Sequence, residues 1–130
     1  GRGIAQDEQQ AVMWYHKAAE QGYADAQYNL GVMYARGRGV AQDEQQAVTW
    51  YRKAAEQGDA DAQYNLGIRY ADGKGVTQDY IEAHMWFSLA AAGGEERAIK
   101  NRAIVEEKMT REQIAEAQRR TGTWTKTEPK

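Results

Sequence analysis

Residues 24–58 read ADAQYNLGVMYARGRGVAQDEQQAVTWYRKAAEQG, and this stretch decides the fold because the chain repeats it. The segment from Gly1 to Arg36 matches the segment from Gly37 to Asp72 at 29 of 36 aligned positions. A third, more divergent copy continues in the same register from Gly73 to Lys108. A fixed period of this size indicates a stacked array of two-helix units. Such an array buries each unit against its neighbours and leaves one long surface for a partner.

Composition and charge exclude several classes of function. The chain has 130 residues, 17 basic and 19 acidic side chains, and a net charge of −2. Nucleic-acid binding needs a clustered positive face, so we predict no nucleic-acid partner. The absence of cysteine excludes disulfides, zinc fingers and thiol catalysis. No apolar run approaches the length of a membrane span, so we predict no membrane insertion.

The first helix of a unit can be followed from Asp43, which precedes a stretch with apolar residues at helical spacing. An aspartate before the helix and a glutamine three residues later, Gln46, form a start similar to a capping box. Gly58 ends the helix because glycine tolerates the left-handed geometry of a C-terminal cap. We name this element helix B. Its apolar face comprises Ala47, Val48, Tyr51, Ala54 and Ala55.

A second helix, helix A, follows almost at once, with Ala62, Leu66, Gly67 and Tyr70 as its apolar stripe. Glycine in the middle of a helix is unfavourable by about 1 kcal/mol relative to alanine. The same glycine occurs one period earlier as Gly31. We interpret this recurrence as a site where the neighbouring helix approaches closely.

The repeat predicts helices over about 7–21, 24–36, 43–57, 60–72, 79–92 and 95–108, with antiparallel neighbours joined by short loops. We divide the chain into a solenoid over 1–121 and a tail over 122–130. The solenoid comprises a half repeat (1–22), two repeats (23–58 and 59–94), and a terminal repeat with a capping helix (95–121). Because residue 1 aligns with the middle of the repeated stretch, we expect a piece of a longer array. Its signal region then lies outside this sequence, and cytoplasmic and exported or periplasmic locations both remain open.

The end of the array shows in the third copy, where Leu66 is replaced by Arg102 and Tyr70 by Glu106. Thr110, with Gln113 three residues later, then predicts a new helix that begins with a capping box. Its opposite side is charged, which suits the polar cap that solenoids need for solubility. The tail after this helix is expected to fray, although Trp124 could fold back onto the cap.

Three tryptophans recur in register, Trp14, Trp50 and Trp86, and predict an aromatic wedge at each junction between units. The first helix B has no helix A before it. We therefore expect its face with Val12, Tyr15 and Ala19 to be uncovered and to allow self-association.

These features closely resemble the Sel-one-like repeat, a relative of the tetratricopeptide repeat. The matching positions are Ala26, Leu30, Gly31 and Tyr34 on helix A, the loop Gly37-x-Gly39-Val40 with Asp43, and Ala47, Trp50, Tyr51, Ala54, Ala55 and Gly58 on helix B. The resemblance implies an all-α, right-handed α/α superhelix, a bacterial origin, and a scaffold or adaptor role. A peptide or protein segment would bind the concave surface formed by helix A of successive units, which we call the helix-A surface.

Candidate binding residues lie on helix A. Asparagine is a poor residue inside a helix, yet Asn29, Asn65 and Asn101 recur in register. One interpretation is a ladder of side-chain amides that bind a ligand, as related tetratricopeptide repeats do. The alternative is an intramolecular hydrogen bond to a neighbouring carbonyl. The other candidates for the same surface are Tyr28, Tyr64, Arg36, Asp61 and Lys100, of which the tyrosines are either anchors for a partner or simply packing residues.

The sequence favours a non-enzymatic protein without metal or cofactor. His16 and His84 occupy non-equivalent repeat positions, so we expect a surface residue and a half-buried packing residue rather than metal ligands. Ser88 is the only serine and lacks the neighbours of a known nucleophile motif. The enzyme alternative comes from the resemblance alone, because related cysteine-rich repeat proteins are penicillin-binding or weak β-lactamases.

Overall fold

The computed structural model describes the backbone of residues 2–127 and the side chains of residues 6–125. These residues form seven helices and no β-strand. The helices are α1 (Arg2–Glu20), α2 (Ala24–Arg36), α3 (Glu44–Glu56), α4 (Ala60–Asp72), α5 (Tyr80–Ala92), α6 (Arg97–Glu106) and α7 (Arg111–Thr127). From α1 to α6, each helix packs against the next one along the chain, and α7 packs against α5. The result is the predicted all-helical repeat solenoid.

The helix ends follow the predicted capping chemistry. The Asp43 carboxylate accepts a hydrogen bond from the Gln46 amide (3.1 Å), and Asp59 and Asp79 cap α4 and α5 in the same way. Before α7, the Thr110 hydroxyl accepts from the Gln113 amide and the Gln113 side chain accepts from the Thr110 amide, which confirms the capping box.

Two junctions between a helix A and the following helix B have a glycine beneath an aromatic ring at their centre. The first junction has Gly31 and Tyr51, and the second has Gly67 and Phe87. A Cβ on Gly31 would come within 2.8 Å of the Tyr51 ring, so only glycine allows α3 to approach α2 this closely. Leu30 and Leu66, beside the two helix-A glycines, are completely buried. The predicted close approach at this position is therefore confirmed.

The first and last helices extend beyond their predicted limits. Helix α1 begins at Arg2 rather than near residue 7. In the next copy the equivalent stretch is a loop, because the Asp43 amide bonds the Tyr34 carbonyl (2.9 Å) at the end of the preceding helix. Among the described residues, none takes the place of Tyr34 before α1, and the equivalent stretch is helical. Helix α7 likewise runs to Thr127, through much of the stretch that was expected to fray.

Helix α6 is shorter than the predicted range of 95–108. The amides of Lys108 and Met109 bond carbonyls only three residues earlier, those of Val105 and Glu106, at 2.9 and 3.1 Å. These tighter turns end the helix and redirect the chain towards α7.

The uncovered face of α1 is not the one expected from the sequence. Val12 and Ala19 are buried against α2, and Tyr15 is half-buried. The exposed apolar side chains are instead Met13 (70% exposed) and Trp14 (71% exposed). The prediction for the face with Val12, Tyr15 and Ala19 is therefore wrong, because this face packs with residues of α2, the loop after it and Trp50 of α3.

The junction tryptophans explain this exposure. Trp50 is buried, and its ring meets the His16 ring of the previous helix B edge to face at 5.4 Å. Trp86 is also buried, and Trp124 of α7 folds back onto it at 5.1 Å. Trp14 occupies the same register, and none of the described helices covers it.

Candidate functional site

Two tyrosines of the helix-A surface each pack one side of the ring against another aromatic ring of the protein and remain half-exposed on the other side. Tyr28 of α2 lies 5.8 Å from the Tyr51 ring, and Tyr64 of α4 lies 6.0 Å from the Phe87 ring. Each tyrosine therefore covers a buried aromatic residue of the following helix B. The outer part of each ring still faces solvent.

Charged groups connect α4 to the start of α6 beside these tyrosines. The Arg97 guanidinium lies 4.4 Å from the centre of the Tyr64 ring and 3.7 Å from the Asp61 carboxylate. It also donates two hydrogen bonds to Glu95, at 2.9 and 2.8 Å. This bidentate pair holds the pKa of Glu95 at about 2. The pKa of Asp61 is raised, first by burial and then by its hydrogen bond with Glu95.

Nearby aspartate carboxylates also change the pKa of Tyr28. Burial raises the pKa of its hydroxyl, and the negative charges of Asp61 and Asp59 raise it further. Tyr28, Asp61, Tyr64 and Arg97 thus form a continuous series across α2, α4 and α6. The sequence did not reveal Glu95, which lies in the turn before α6. The only signal was its spacing of two residues from Arg97.

The three repeated asparagines do not have the same surroundings. The Asn29 side-chain amide donates to the Asp25 carbonyl (2.8 Å), and the Asn65 amide donates to the Asp61 carbonyl (2.9 Å). These bonds are intrahelical, and each leaves the amide oxygen and one N–H available. Asn101 makes no such bond within the described residues and lines a pocket instead.

The remaining predicted residues, Arg36 and Lys100, are exposed at opposite ends of this surface. Burial raises the pKa of Tyr51 to about 12, against the opposing positive charges of Arg69 and Arg36. Lys100 on α6 makes no ion pair with the part of the chain that the structure describes. A binding role for these residues stays a prediction.

An arginine that the sequence analysis did not single out closes the first junction. The Arg69 guanidinium lies 5.1 Å from the centre of the Tyr51 ring and forms an ion pair with Glu44 at 3.4 Å. Its side chain is only 13% exposed. A buried cation over an aromatic face is stabilising when a carboxylate neutralises it.

The second junction carries an open pocket where the first carries Arg69. The pocket has a volume of about 190 Å³ and lies between α4 and α6. Its lining comprises Ile68, Ala71, Asp72, Phe87, Asn101, Ile104 and Val105.

A separate polar cluster lies between α5, α6 and α7. His84 is 2% exposed and bonds the Glu106 carboxylate through Nε2 (2.7 Å), so the expected half-buried packing role is wrong. The Ser88 hydroxyl accepts a hydrogen bond from Arg102 (3.2 Å). Within the described residues, His84 Nδ1 has no partner, and no base bonds Ser88. This cluster therefore lacks the nucleophile–base pair of a serine hydrolase.

Two further findings concern the described residues only. They contain no group of three or more His, Cys, Asp or Glu side chains that could hold a metal ion. None of their helices is both long enough and apolar enough to cross a membrane. His16, expected at the surface, has a 40% exposed side chain that pairs with Glu20 (3.2 Å).

The repeat register is also recognised by comparison with known families. The Sel1 repeat family model matches residues 1–23, 24–59 and 60–95. The chain belongs to the Sel1 repeat family. Sel1 repeat proteins generally act as scaffolds for protein interactions. No curated protein matches this Sel1 repeat chain.

Solved structures of bacterial proteins share the fold. A protective antigen of uropathogenic Escherichia coli strains, which displays an SLR fold, is 41% identical with a TM-score of 0.88 over 92% of this chain. A Sel1 repeat protein from Oxalobacter formigenes is 44% identical with a TM-score of 0.72 over 74% of this chain. The Sel1 repeat chain spans 26% and 40% of the lengths of these two proteins.

Proposed function

We propose that this Sel1 repeat chain is a non-catalytic scaffold that binds a peptide or protein segment along the helix-A surface. The observation that carries the proposal is the series Tyr28, Asp61, Tyr64 and Arg97. It places half-exposed aromatic edges and charged groups along one face of three successive units. Aromatic residues and arginine are enriched at protein interfaces.

The side chains of this face are held by contacts within the chain, which favours binding. Each tyrosine rests on a buried ring, and Arg97 is held between Glu95 and Tyr64. A side chain that is already fixed loses little conformational entropy when a partner arrives. The free oxygens of the Asn29 and Asn65 amides add acceptors for a partner's backbone N–H groups.

Selected peptides provide a direct test. A phage-displayed library of random linear peptides is selected on the immobilised chain, and the Kd of an enriched peptide is measured by calorimetry. The double variant Asn29→Ala with Asn65→Ala is expected to weaken binding about thirtyfold, from two lost hydrogen bonds of about 1 kcal/mol each.

The matched control is the double variant Gln9→Ala with Gln45→Ala. These two glutamines are also equivalent in the repeat and exposed, but they lie on helices B. Binding to this control should be unchanged. If the asparagine variant has an unchanged Kd and an intact circular dichroism spectrum, the proposal that the peptide binds along the helix-A surface is wrong.

Self-association is a second proposal, favoured by the exposed apolar pair on α1. Met13 and Trp14 border a depression of about 640 Å³, together with Gln10, His16, Lys17 and Glu20. Exposed apolar patches of this kind mark association sites. Sedimentation should show concentration-dependent dimers that Trp14→Glu abolishes and that Gln45→Glu, an equal charge change on α3, retains. A chain that is monomeric at all concentrations overturns this proposal.

A further inference from the structure

The two junctions of the helix-A surface are built in the same register, and three of the differences between them change the charge or size of the side chains around the aromatic ring. Across one period, Arg69 corresponds to Val105, Tyr51 to Phe87 and Arg36 to Asp72. The first junction therefore has two cations, one of which lies over the aromatic ring. The second junction has none among its lining residues and has the Asp72 carboxylate instead.

The first junction shows what fills this space. The Arg69 guanidinium lies over the Tyr51 ring, on which Tyr28 also packs, and is neutralised by Glu44. At the second junction Tyr64 packs on Phe87 in the same way. Val105 is shorter than Arg69, and a pocket of about 190 Å³ remains beside Phe87, although the Phe87 ring itself is only 1% exposed.

The electrostatics of the pocket favour a positive charge. The Asp72 side chain is exposed at its rim and makes no hydrogen bond or ion pair within the described residues. Asp72 is also the last residue of α4, so the pocket lies at the negative end of that helix dipole. Lys100 of α6 and Lys108, in the turn after α6, do not line the pocket.

We infer that this pocket binds an arginine side chain of the partner. The aliphatic part of the arginine packs against Ile68 and Ile104, which line the pocket, and the charge of the guanidinium is neutralised by Asp72 at the rim. The Asn101 side chain, which is not bonded to its own helix, offers an acceptor for a guanidinium or backbone N–H. This inference rests on the proposed function, and it specifies the chemistry of the segment that binds.

Single-residue probes test the pocket without a known partner. N-acetyl-arginine methylamide is titrated into the ¹⁵N-labelled chain, and amide shifts are followed by NMR. We expect saturable shifts confined to residues 68–72 and 101–105. The neutral isostere N-acetyl-citrulline methylamide should bind about threefold more weakly, because it loses the ionic attraction to Asp72. N-acetyl-leucine methylamide serves as the apolar probe and should bind more weakly than the arginine probe.

Variants assign the site. Asp72→Asn should weaken the arginine probe about threefold, whereas Asp25→Asn, an exposed carboxylate of α2 outside the pocket, should leave its affinity unchanged. Val105→Arg should abolish binding, because the new guanidinium occupies the pocket as Arg69 does. If Val105→Arg does not fold, Asp72→Asn and the citrulline probe still decide the question. Equal or stronger binding of the leucine probe, or no localised shift with the arginine probe, overturns the inference.

The outcome is separable from that of the proposed function. Selected peptides that bind the helix-A surface but are indifferent to Asp72→Asn, together with an inactive arginine probe, leave the scaffold role standing and refute the arginine pocket. An arginine probe that binds as expected, while no peptide is retained, supports the pocket and refutes the scaffold role.

Discussion

The ring of Phe87 lies so close to Gly67 that a Cβ on this glycine would come within 2.7 Å of ring carbon Cδ1. This contact lets α5 seat against α4 at the junction that also carries the candidate pocket. The helix accepts an intrinsically unfavourable residue so that two backbones can approach closely. The consequences can be measured on the folded chain.

Gly67→Ala should destabilise the protein although alanine is the better helix former. Helix propensity favours alanine by about 1 kcal/mol, but the added methyl forces the Phe87 ring out of a well-packed site at a cost of about 1–3 kcal/mol. Urea denaturation followed by circular dichroism should therefore show a lower midpoint.

The control is Gly122→Ala in α7, where a Cβ would meet nothing within 4 Å. This substitution should raise stability by up to about 1 kcal/mol. An equal gain at both glycines would contradict the packing argument.

Alkaline pH should weaken the fold through Tyr51. Burial raises the pKa of its hydroxyl from 10.0 to about 12, so the folded state retains the neutral phenol when the unfolded state already ionises. The stabilisation that the neutral Tyr51 hydroxyl gives the folded state is complete below pH 10 and is lost as the pH rises from 10 to 12. Over this range the free energy of unfolding should fall by about 3 kcal/mol.

Tyr51→Phe isolates this effect, because phenylalanine already occupies the equivalent position at Phe87. Unfolding free energies from denaturant titrations at several pH values should fall less steeply for the variant than for the wild type. Parallel pH profiles would show that ionisation of Tyr51 does not limit stability.

Local rules were enough to predict most of the helices. The caps at Asp43 and Thr110 depend on neighbours three residues away, and a recurring glycine signals a close approach wherever the partner helix lies. The start of α1 was missed because the loop before a helix B is fixed by the preceding helix. The repeat alone could not show how the first described helix begins without that contact.

The candidate site was less predictable, because it depends on which helices meet. The sequence placed Tyr28 and Tyr64 on one surface but could not show that Arg69 lies over Tyr51. The difference between Arg69 and Val105 is visible in the aligned repeats, but its meaning needs the position of the rings. The burial of His84 against Glu106 likewise joins residues of two helices.

The two tryptophans Trp14 and Trp50 should differ sharply in their effect on stability, although they occupy the same repeat position. Trp50 is 6% exposed and packs against His16, so Trp50→Ala leaves a cavity and should cost about 3–5 kcal/mol. Trp14 is 71% exposed, so Trp14→Ala should change the unfolding free energy by about 0.5 kcal/mol or less.

Both variants are compared with the wild type by urea denaturation at a low protein concentration, so that self-association does not contribute to stability. Repeating the measurement at high concentration should stabilise the wild type and the Trp50 variant but not the Trp14 variant, if Trp14 mediates association. A large loss of stability in Trp14→Ala at low concentration would show that this ring is covered within one chain. The exposed face of α1 would then be too small for the association proposed for it.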